Sequence, residues 1–210
     1  MIKNTLTLLA LSTLAFTGIG LAQNVYSIPF ASTGNGIELT VENTSATAAQ
    51  NVTVRVSNIP SWLGFTAKEW TIKEIAPGGK DLALFTFSAH NSAPVGRNHT
   101  LTFTISTPSG QMWIKEVTFA VAAPERFELL QNYPNPFNPS TTIAYQLPAK
   151  SRVILKVFNV LGQEVATVFD GQMEAGYHQD TWSASAASSG VYIAQVVALD
   201  DRGNRWVARR

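Results

Sequence analysis

Three histidines, His90, His99 and His178, are the residues of this chain best suited to chemistry near neutral pH, as metal ligands or as a general acid or base. His90 and His99 have neither a carboxylate nor a second histidine at a ligand spacing, so each is expected to be a polar surface imidazole. His178 and Asp180 lie two positions apart, which puts both on one face of a strand, as a ligand pair or an acid–base pair requires. Two groups do not complete a site, and the plainer expectation is a half-exposed strand on which they alternate with Tyr177 and Gln179. Asp200 and Asp201, beside Arg202, Gly203 and Asn204, offer oxygens to calcium. That ion takes roughly six to eight ligands, so a hairpin turn is expected instead. The serines of residues 183–189 sit in no nucleophile elbow and read as a small-residue loop. No catalytic residue, metal or cofactor is therefore assigned.

The aromatic residues of the N-terminal half, Trp62, Phe65, Trp70 and Trp113, admit two uses. Trp62, Trp70 and Trp113 are candidates for stacking against sugar rings, whose apolar faces match an indole. The stronger expectation is that they fill a core, because the chain has no cysteine and must be held by apolar packing alone. Sequons at Asn43, Asn51 and Asn98 are short patterns in Thr-rich strands and receive no function. Charged residues make up 14% of the chain and the net charge is +1. That is too weak a field for nucleic-acid binding, which is not expected.

The elements that must position these residues are strands. Ile37, Leu39 and Val41 alternate with polar residues, as do Val52, Val54 and Val56, and Leu101, Phe103 and Ile105. Residues 82–87 and 114–121 continue the series, with turn residues between. The same alternation returns at Ile143, Tyr145 and Leu147, at Val153, Leu155 and Val157, in 165–169 as far as Asp170-Gly171, and in 191–199. Five to seven strands fit the second interval, and no run of ten residues has helical periodicity. Gly162, Gly171 and Gly203 are expected at turns with positive φ, and Gly190 at a tight bend before Tyr192.

Between the two regions stands a run with three prolines in six residues, Asn132, Tyr133, Pro134, Asn135, Pro136, Phe137, Asn138 and Pro139. It admits neither helix nor central strand and predicts a stiff, extended entry segment. Four blocks follow in order: LQNYPNPFNPSTTI at 130–143, VFNVLGQEV at 157–165, AGYHQDTW at 175–182 and SGVYI at 189–193. With these blocks the segment from about 127 to 210 resembles the C-terminal sorting domain, type A, of proteins exported by the bacterial type IX secretion system. The resemblance implies a β-sandwich recognised by the outer-membrane machinery. Residues 132–139, Gly162, Gly190 and Tyr192 match its motifs and are expected to set its shape. It further implies removal of the domain after export, with a cut between about Ala120 and Leu130, and coupling of the passenger to surface polysaccharide. The family usually closes on an apolar strand carrying lysines, whereas this chain closes on RWVARR at 205–210.

Residues 26–122 resemble bacterial immunoglobulin-like modules through IELTVEN at 37–43, NVTVRV at 51–56, PSW at 60–62, IAPGG at 75–79 and APVG at 93–96. At the N-terminus, Lys3 precedes an uncharged apolar stretch at 6–21, with Gly20 and Ala22 forming a small-residue cleavage pattern. The segment reads as a secretory signal peptide, since its apolar stretch falls short of the roughly 20 residues that span a bilayer. The fold class expected is all-β: two immunoglobulin-like antiparallel β-sandwiches in tandem after a cleaved signal. The boundaries are 1–22 signal, 25–122 passenger, 123–130 linker and 131–210 sorting domain. The function expected is non-enzymatic, export to the cell surface with the passenger as spacer or binding module. The alternatives are a carbohydrate-binding or adhesive module, or a structural subunit related to flagellar hook-capping domains.

Overall fold

The computed structural model describes the backbone of Thr5–Ala10 and residues 25–210 in full. The segment read as a signal peptide lies, apart from that short stretch of backbone, outside the described residues. The chain divides after Ala122 into two compact units. All regular structure among the described residues is β, as the period-two alternation requires.

The first unit contains β1 (Thr5–Ala10), β2 (Val25–Ile28), β3 (Asn35–Glu42), β4 (Ala49–Ser57), β5 (Leu63–Phe65), β6 (Glu69–Ile75), β7 (Lys80–Ala89), β8 (Asn98–Ser106) and β9 (Met112–Val121). They form two sheets, ordered β1-β3-β7-β5 and β2-β9-β8-β4-β6. Pairing is antiparallel throughout except for β1 with β3 and β2 with β9, which are parallel, so the expectation of a purely antiparallel unit is corrected at its margins. The alternating residues face each other across the two sheets: Ile37, Leu39 and Val41 with Phe85 and Phe87, against Val54, Leu101 and Phe103. Phe85 and Phe103 meet at 5.3 Å between ring centroids, and Phe103 has no exposed surface. Each such aromatic stabilises the unit by roughly 2 to 3 kcal/mol. Leu82 and Leu84, on the other parity of β7, remain exposed.

The second unit contains β10 (Glu128–Leu129), β11 (Ser140–Leu147), β12 (Ser151–Asn159), β13 (Glu164–Met173), β14 (Gly176–Ser183), β15 (Tyr192–Asp200) and β16 (Arg205–Arg209). The sheets are β10-β11-β14 and β13-β12-β15-β16, all antiparallel. Their inner faces share a core that includes Leu129, Ile143, Tyr145, Leu155, Trp182 and Val196.

Two boundaries differ from the sequence reading. The stretch read as a linker, 123–130, already contains β10: Glu128 and Leu129 pair with Gln146 and Tyr145, and the Phe127 ring lies 6.3 Å from Trp206. Leu129 is apolar enough to be drawn into the core, at 4% exposure. Asp170-Gly171 is no turn, because β13 runs on to Met173 with Val153 opposite Gly171. Gly171 is present for closeness instead, since a Cβ there would sit 3.0 Å from the Phe169 ring.

Candidate functional site

The strand registers bring parts of all four motif blocks to one end of the C-terminal unit. Thr141, at the start of β11, lies opposite Trp182 at the end of β14. Asn159, at the end of β12, lies opposite Tyr192 at the start of β15. The two sheets meet at this end through aromatic rings: Phe137 packs on Trp182 at 5.5 Å, and Trp182 meets Tyr192 edge-on at 5.0 Å. Phe137 comes from the first block, Trp182 from the third and Tyr192 from the fourth, so residues dispersed over the sequence form one packed cluster.

The proline run is fastened to this end by polar side chains. Asn132 donates its Nδ2 to Thr141 Oγ1 at 2.9 Å, and Thr141 Oγ1 donates to the Pro134 carbonyl at 2.8 Å. Asn135 donates to Asn132 Oδ1 at 3.2 Å. Tyr133 and Thr142 exchange both backbone hydrogen bonds, at 3.0 and 2.9 Å, and Ala184 N–H donates to the Pro139 carbonyl at 2.8 Å. Thr141 is buried at 3% exposure, so its hydroxyl must be satisfied, and the asparagine and the proline carbonyl do so. The expected entry segment is therefore a fastened loop, and Tyr133 stands out from it at 81% exposure. The peptide bonds preceding Pro134, Pro136 and Pro139 are all cis.

Gly162 lies at the tip of the β12–β13 turn with φ of 78°. Its N–H donates to the Asn159 carbonyl, and Asn159 Oδ1 accepts from Leu161 and Gln163 N–H, both at 3.0 Å. This closes the turn and leaves Val160 and Leu161 exposed. The chain bends at Ser189 and Gly190, as expected, but Gly190 does not have a positive φ and a Cβ there would meet nothing within 4 Å, so the bend does not require glycine. The Tyr192 hydroxyl, which sequence reading gave no partner, donates to the Ser188 carbonyl and ties down the 184–191 loop.

The chain terminus reaches the same end. Arg210 exchanges two backbone hydrogen bonds with Ala194, donates its Nε to the Leu129 carbonyl at 2.9 Å and donates from its guanidinium to Gln131 Oε1 at 3.3 Å. The arginine-rich ending thus closes the sheet and holds the segment entering the proline run. No motif in the sequence announced this, because the partners are 79 and 81 residues away.

The candidate chemical groups are engaged structurally. His178 and Asp180 share the inward face of β14 with Trp182. Asp180 accepts the Tyr145 hydroxyl at 3.0 Å, and His178 Nε2 meets the Glu174 carbonyl at 2.8 Å. Burial, then the Asp180 charge and its hydrogen bond, push the Tyr145 hydroxyl far above the ordinary tyrosine range. Asp200 accepts from Arg202 N–H, Asn204 N–H and Asn204 Nδ2 at 2.8 to 2.9 Å, which makes its carboxylate the centre of the β15–β16 turn. Burial raises the Asp200 pKa, but the bonds from Asn204 and Arg202 outweigh it and hold the group below its usual value.

In the first unit, His99 is half-buried against Trp62 and Phe119, with a Trp62 centroid distance of 4.8 Å, which corrects its reading as a surface imidazole. Burial and then the nearby Arg97 lower its pKa. Trp62 is a core residue at 8% exposure, and Phe65 stacks on Phe87. Trp113, Ile105, Val54 and Trp70 form one cross-strand row over β9, β8, β4 and β6. The tryptophans at its two ends are 37% and 39% exposed, while Ile105 and Val54 between them are buried. Asn43 forms a buried knot that the sequence did not signal: its Nδ2 donates to the Thr47 and Ile75 carbonyls at 2.8 and 2.9 Å, and its Oδ1 accepts from Ser45.

Residues 131–205 match the family model described as the secretion system C-terminal sorting domain. The match covers less than half of the chain and coincides with the unit whose motif blocks converge. A type IX sorting tail indicates export by that route, to the outside of the cell or its surface. No curated protein matches the chain. Similar solved structures include the CupB2 chaperone of Pseudomonas aeruginosa, at 14% identity over 89% of this chain and 96% of that chain, with a TM-score of 0.27. Dimeric latent PorU of Porphyromonas gingivalis matches at 12% identity over 93% of this chain and 19% of that chain, with a TM-score of 0.34. The CBD12 fragment of CALX1.2 matches at 11% identity over 87% and 78%, with a TM-score of 0.34. Likenesses this distant add nothing to the fold read from the strands themselves.

Proposed function

We propose that this protein is a non-enzymatic, exported protein in which the C-terminal unit is a folded address for the type IX machinery and residues 25–122 form an immunoglobulin-like spacer or binding module. The observation that supports the reading is the convergence of the proline run, the Gly162 turn, Trp182 and Tyr192 on one end of an independent core. A receptor that reads shape would find there a rigid set of loops, and rigidity lowers the ordering cost of recognition. Glu125 and Arg126, at the start of the second unit, are exposed and are the place where processing would separate passenger from address. The N-terminal segment supplies the first step, passage to the periplasm as a signal peptide.

The test is display in a host with a type IX system. The full chain reaches the cell surface and a chain ending at Ala122 stays in the periplasm; equal display of the two would refute the sorting role. A glycan-binding role for the passenger rests on the exposed faces of Trp70 and Trp113, and loss of glycan-array binding in Trp70→Ala and Trp113→Ala chains would establish it.

A further inference from the structure

The outward faces of the two sheets of the C-terminal unit differ in kind. β10, β11 and β14 turn Glu128, Thr142, Gln146, Gln179 and Thr181 outward, a polar surface on which the Glu128 carboxylate is paired with Arg126. The four-stranded sheet instead carries an apolar row, Val207, Val197 and Ile154, lying side by side on β16, β15 and β12. One neighbouring row reads Arg205, Leu199, Arg152, and the row on the other side reads Arg209, Gln195, Lys156. The result is an apolar strip with a cation at each of four corners, and Leu199 and Val207 remain 46% and 44% exposed.

The corners are not equivalent. Arg152 pairs with Asp170 at 2.9 Å and Lys156 with Glu164 at 2.7 Å, both carboxylates lying on β13. Arg205 and Arg209 form no ion pair among the described residues, and Arg209 donates only to Gln195 Oε1. Half of the face is therefore neutralised and the half along β16 keeps two free guanidinium groups. Four positions apart on one strand, they stand about 13 Å from each other with Val207 between them. Exposed branched side chains framed by unpaired arginines describe a docking surface, since a guanidinium takes a carboxylate through two hydrogen bonds and the apolar strip supplies the contact area.

Resting on the sorting reading above, we propose that this face docks the folded C-terminal unit onto a protein of the export apparatus that presents an apolar strip between two carboxylates about 13 Å apart. A membrane fits less well. Two free arginines are too few to hold a chain on an anionic leaflet, and a row of short branched side chains lying flat on a sheet has nothing to insert.

The test uses the full chain in a type IX-competent host and reads the fraction at the cell surface by protease accessibility. The Arg205→Glu/Arg209→Glu chain loses about tenfold of its surface fraction, because like charges placed opposite each other oppose docking. Arg205→Lys/Arg209→Lys keeps most of it, and Lys68→Glu/Lys73→Glu, the same change of charge at exposed positions of the first unit, leaves it unchanged. Leu199→Ser/Val207→Ser lowers it without altering charge, so the outcome does not depend on the fold tolerating reversal. Full display of both Arg205→Glu/Arg209→Glu and Leu199→Ser/Val207→Ser overturns the proposal, as does an equal loss in the Lys68→Glu/Lys73→Glu control. So does sedimentation of the chain with phosphatidylserine vesicles, or a dimer in velocity sedimentation, that depends on the two arginines while their reversal leaves export intact. Retention of the unmodified chain in the periplasm refutes the sorting reading itself, and is told apart because it needs no substitution.

Discussion

The two units are built from the same alternating strands but are closed by different means. In the first unit most of the closure is apolar: both sheets contribute full rows of Val, Leu, Ile and Phe, and polar side chains are confined to a few positions such as Asn43. In the second, the core is smaller and one end depends on named polar groups, with Thr141, Asn132, Asn159, Tyr192 and Arg210 each fixing a loop. A unit closed by packing tolerates change in its loops, whereas a unit closed by particular hydrogen bonds has loops of fixed shape. On the proposed reading, the spacer needs only the first property, while the sorting unit needs the second.

The comparison would break first under large core truncations. Trp182→Ala removes the ring between Phe137 and Tyr192, and Phe103→Ala removes the ring facing Phe85. Each is expected to cost about 3 to 5 kcal/mol. In calorimetry of the full chain Trp182→Ala lowers only the transition of the second unit and Phe103→Ala only that of the first. A single merged shift in both variants would show that the units do not fold separately. The next effect concerns polar closure. Asn43→Ala leaves the Thr47 and Ile75 carbonyls without their side-chain donor, and Thr141→Val removes the hydroxyl that accepts from Asn132 Nδ2 and donates to the Pro134 carbonyl. Both are expected to cost about 1 to 3 kcal/mol. They separate in function: Thr141→Val also loosens the proline loop, read as faster proteolysis within 131–139, and Asn43→Ala leaves that loop protected.

How much of this was legible depended on whether the signal was local. The alternation at Ile37 to Val41 or Val153 to Val157 gave strand and face together, because side chains change sides at every residue. The family blocks gave the identity of the C-terminal unit, and the match over residues 131–205 bears that out. Short strands were harder: Val25–Ile28 and Glu128–Leu129 are too brief to show a period, and only a neighbouring sheet edge makes them strands. Gly171 looked like a turn because Asp-Gly usually is one, yet pairing with Val153 carried the strand through it. His99 was read as exposed for want of a metal-ligand spacing, yet it shares the parity of Leu101, Phe103 and Ile105 on β8, and Trp62, distant in sequence, packs on it. Nothing local could have linked Arg210 to Leu129.

Titration sharpens the comparison further. Asp200 has a folded pKa below its unfolded value of about 3.9, so between the two values the unfolded chain binds more protons and stability rises with pH. The contribution is complete above about pH 4 and fades as the pH falls through the lower, folded value. Asp200→Asn removes this acid limb and lowers stability at neutral pH, where three donors lose a charged acceptor. The transition of the first unit, measured in the same scans, is unaffected.

The smallest effect lies at the alkaline end. Tyr145 has no exposed surface and donates to Asp180, which is half-buried and can take a water in its place. Tyr145→Phe is therefore expected to cost only about 1 kcal/mol at neutral pH. The pH dependence is more telling than the cost. The folded-state pKa is raised, so above the unfolded value of about 10 the native chain holds a proton that the unfolded chain releases, and stability falls as pH rises. Tyr145→Phe abolishes that fall, which makes the variant the less stable protein at pH 8 and the less pH-sensitive one above pH 10. Chemical denaturation at both values measures the crossover, and parallel curves for the two proteins would mean that the Tyr145 hydroxyl is not sealed between the sheets of the second unit.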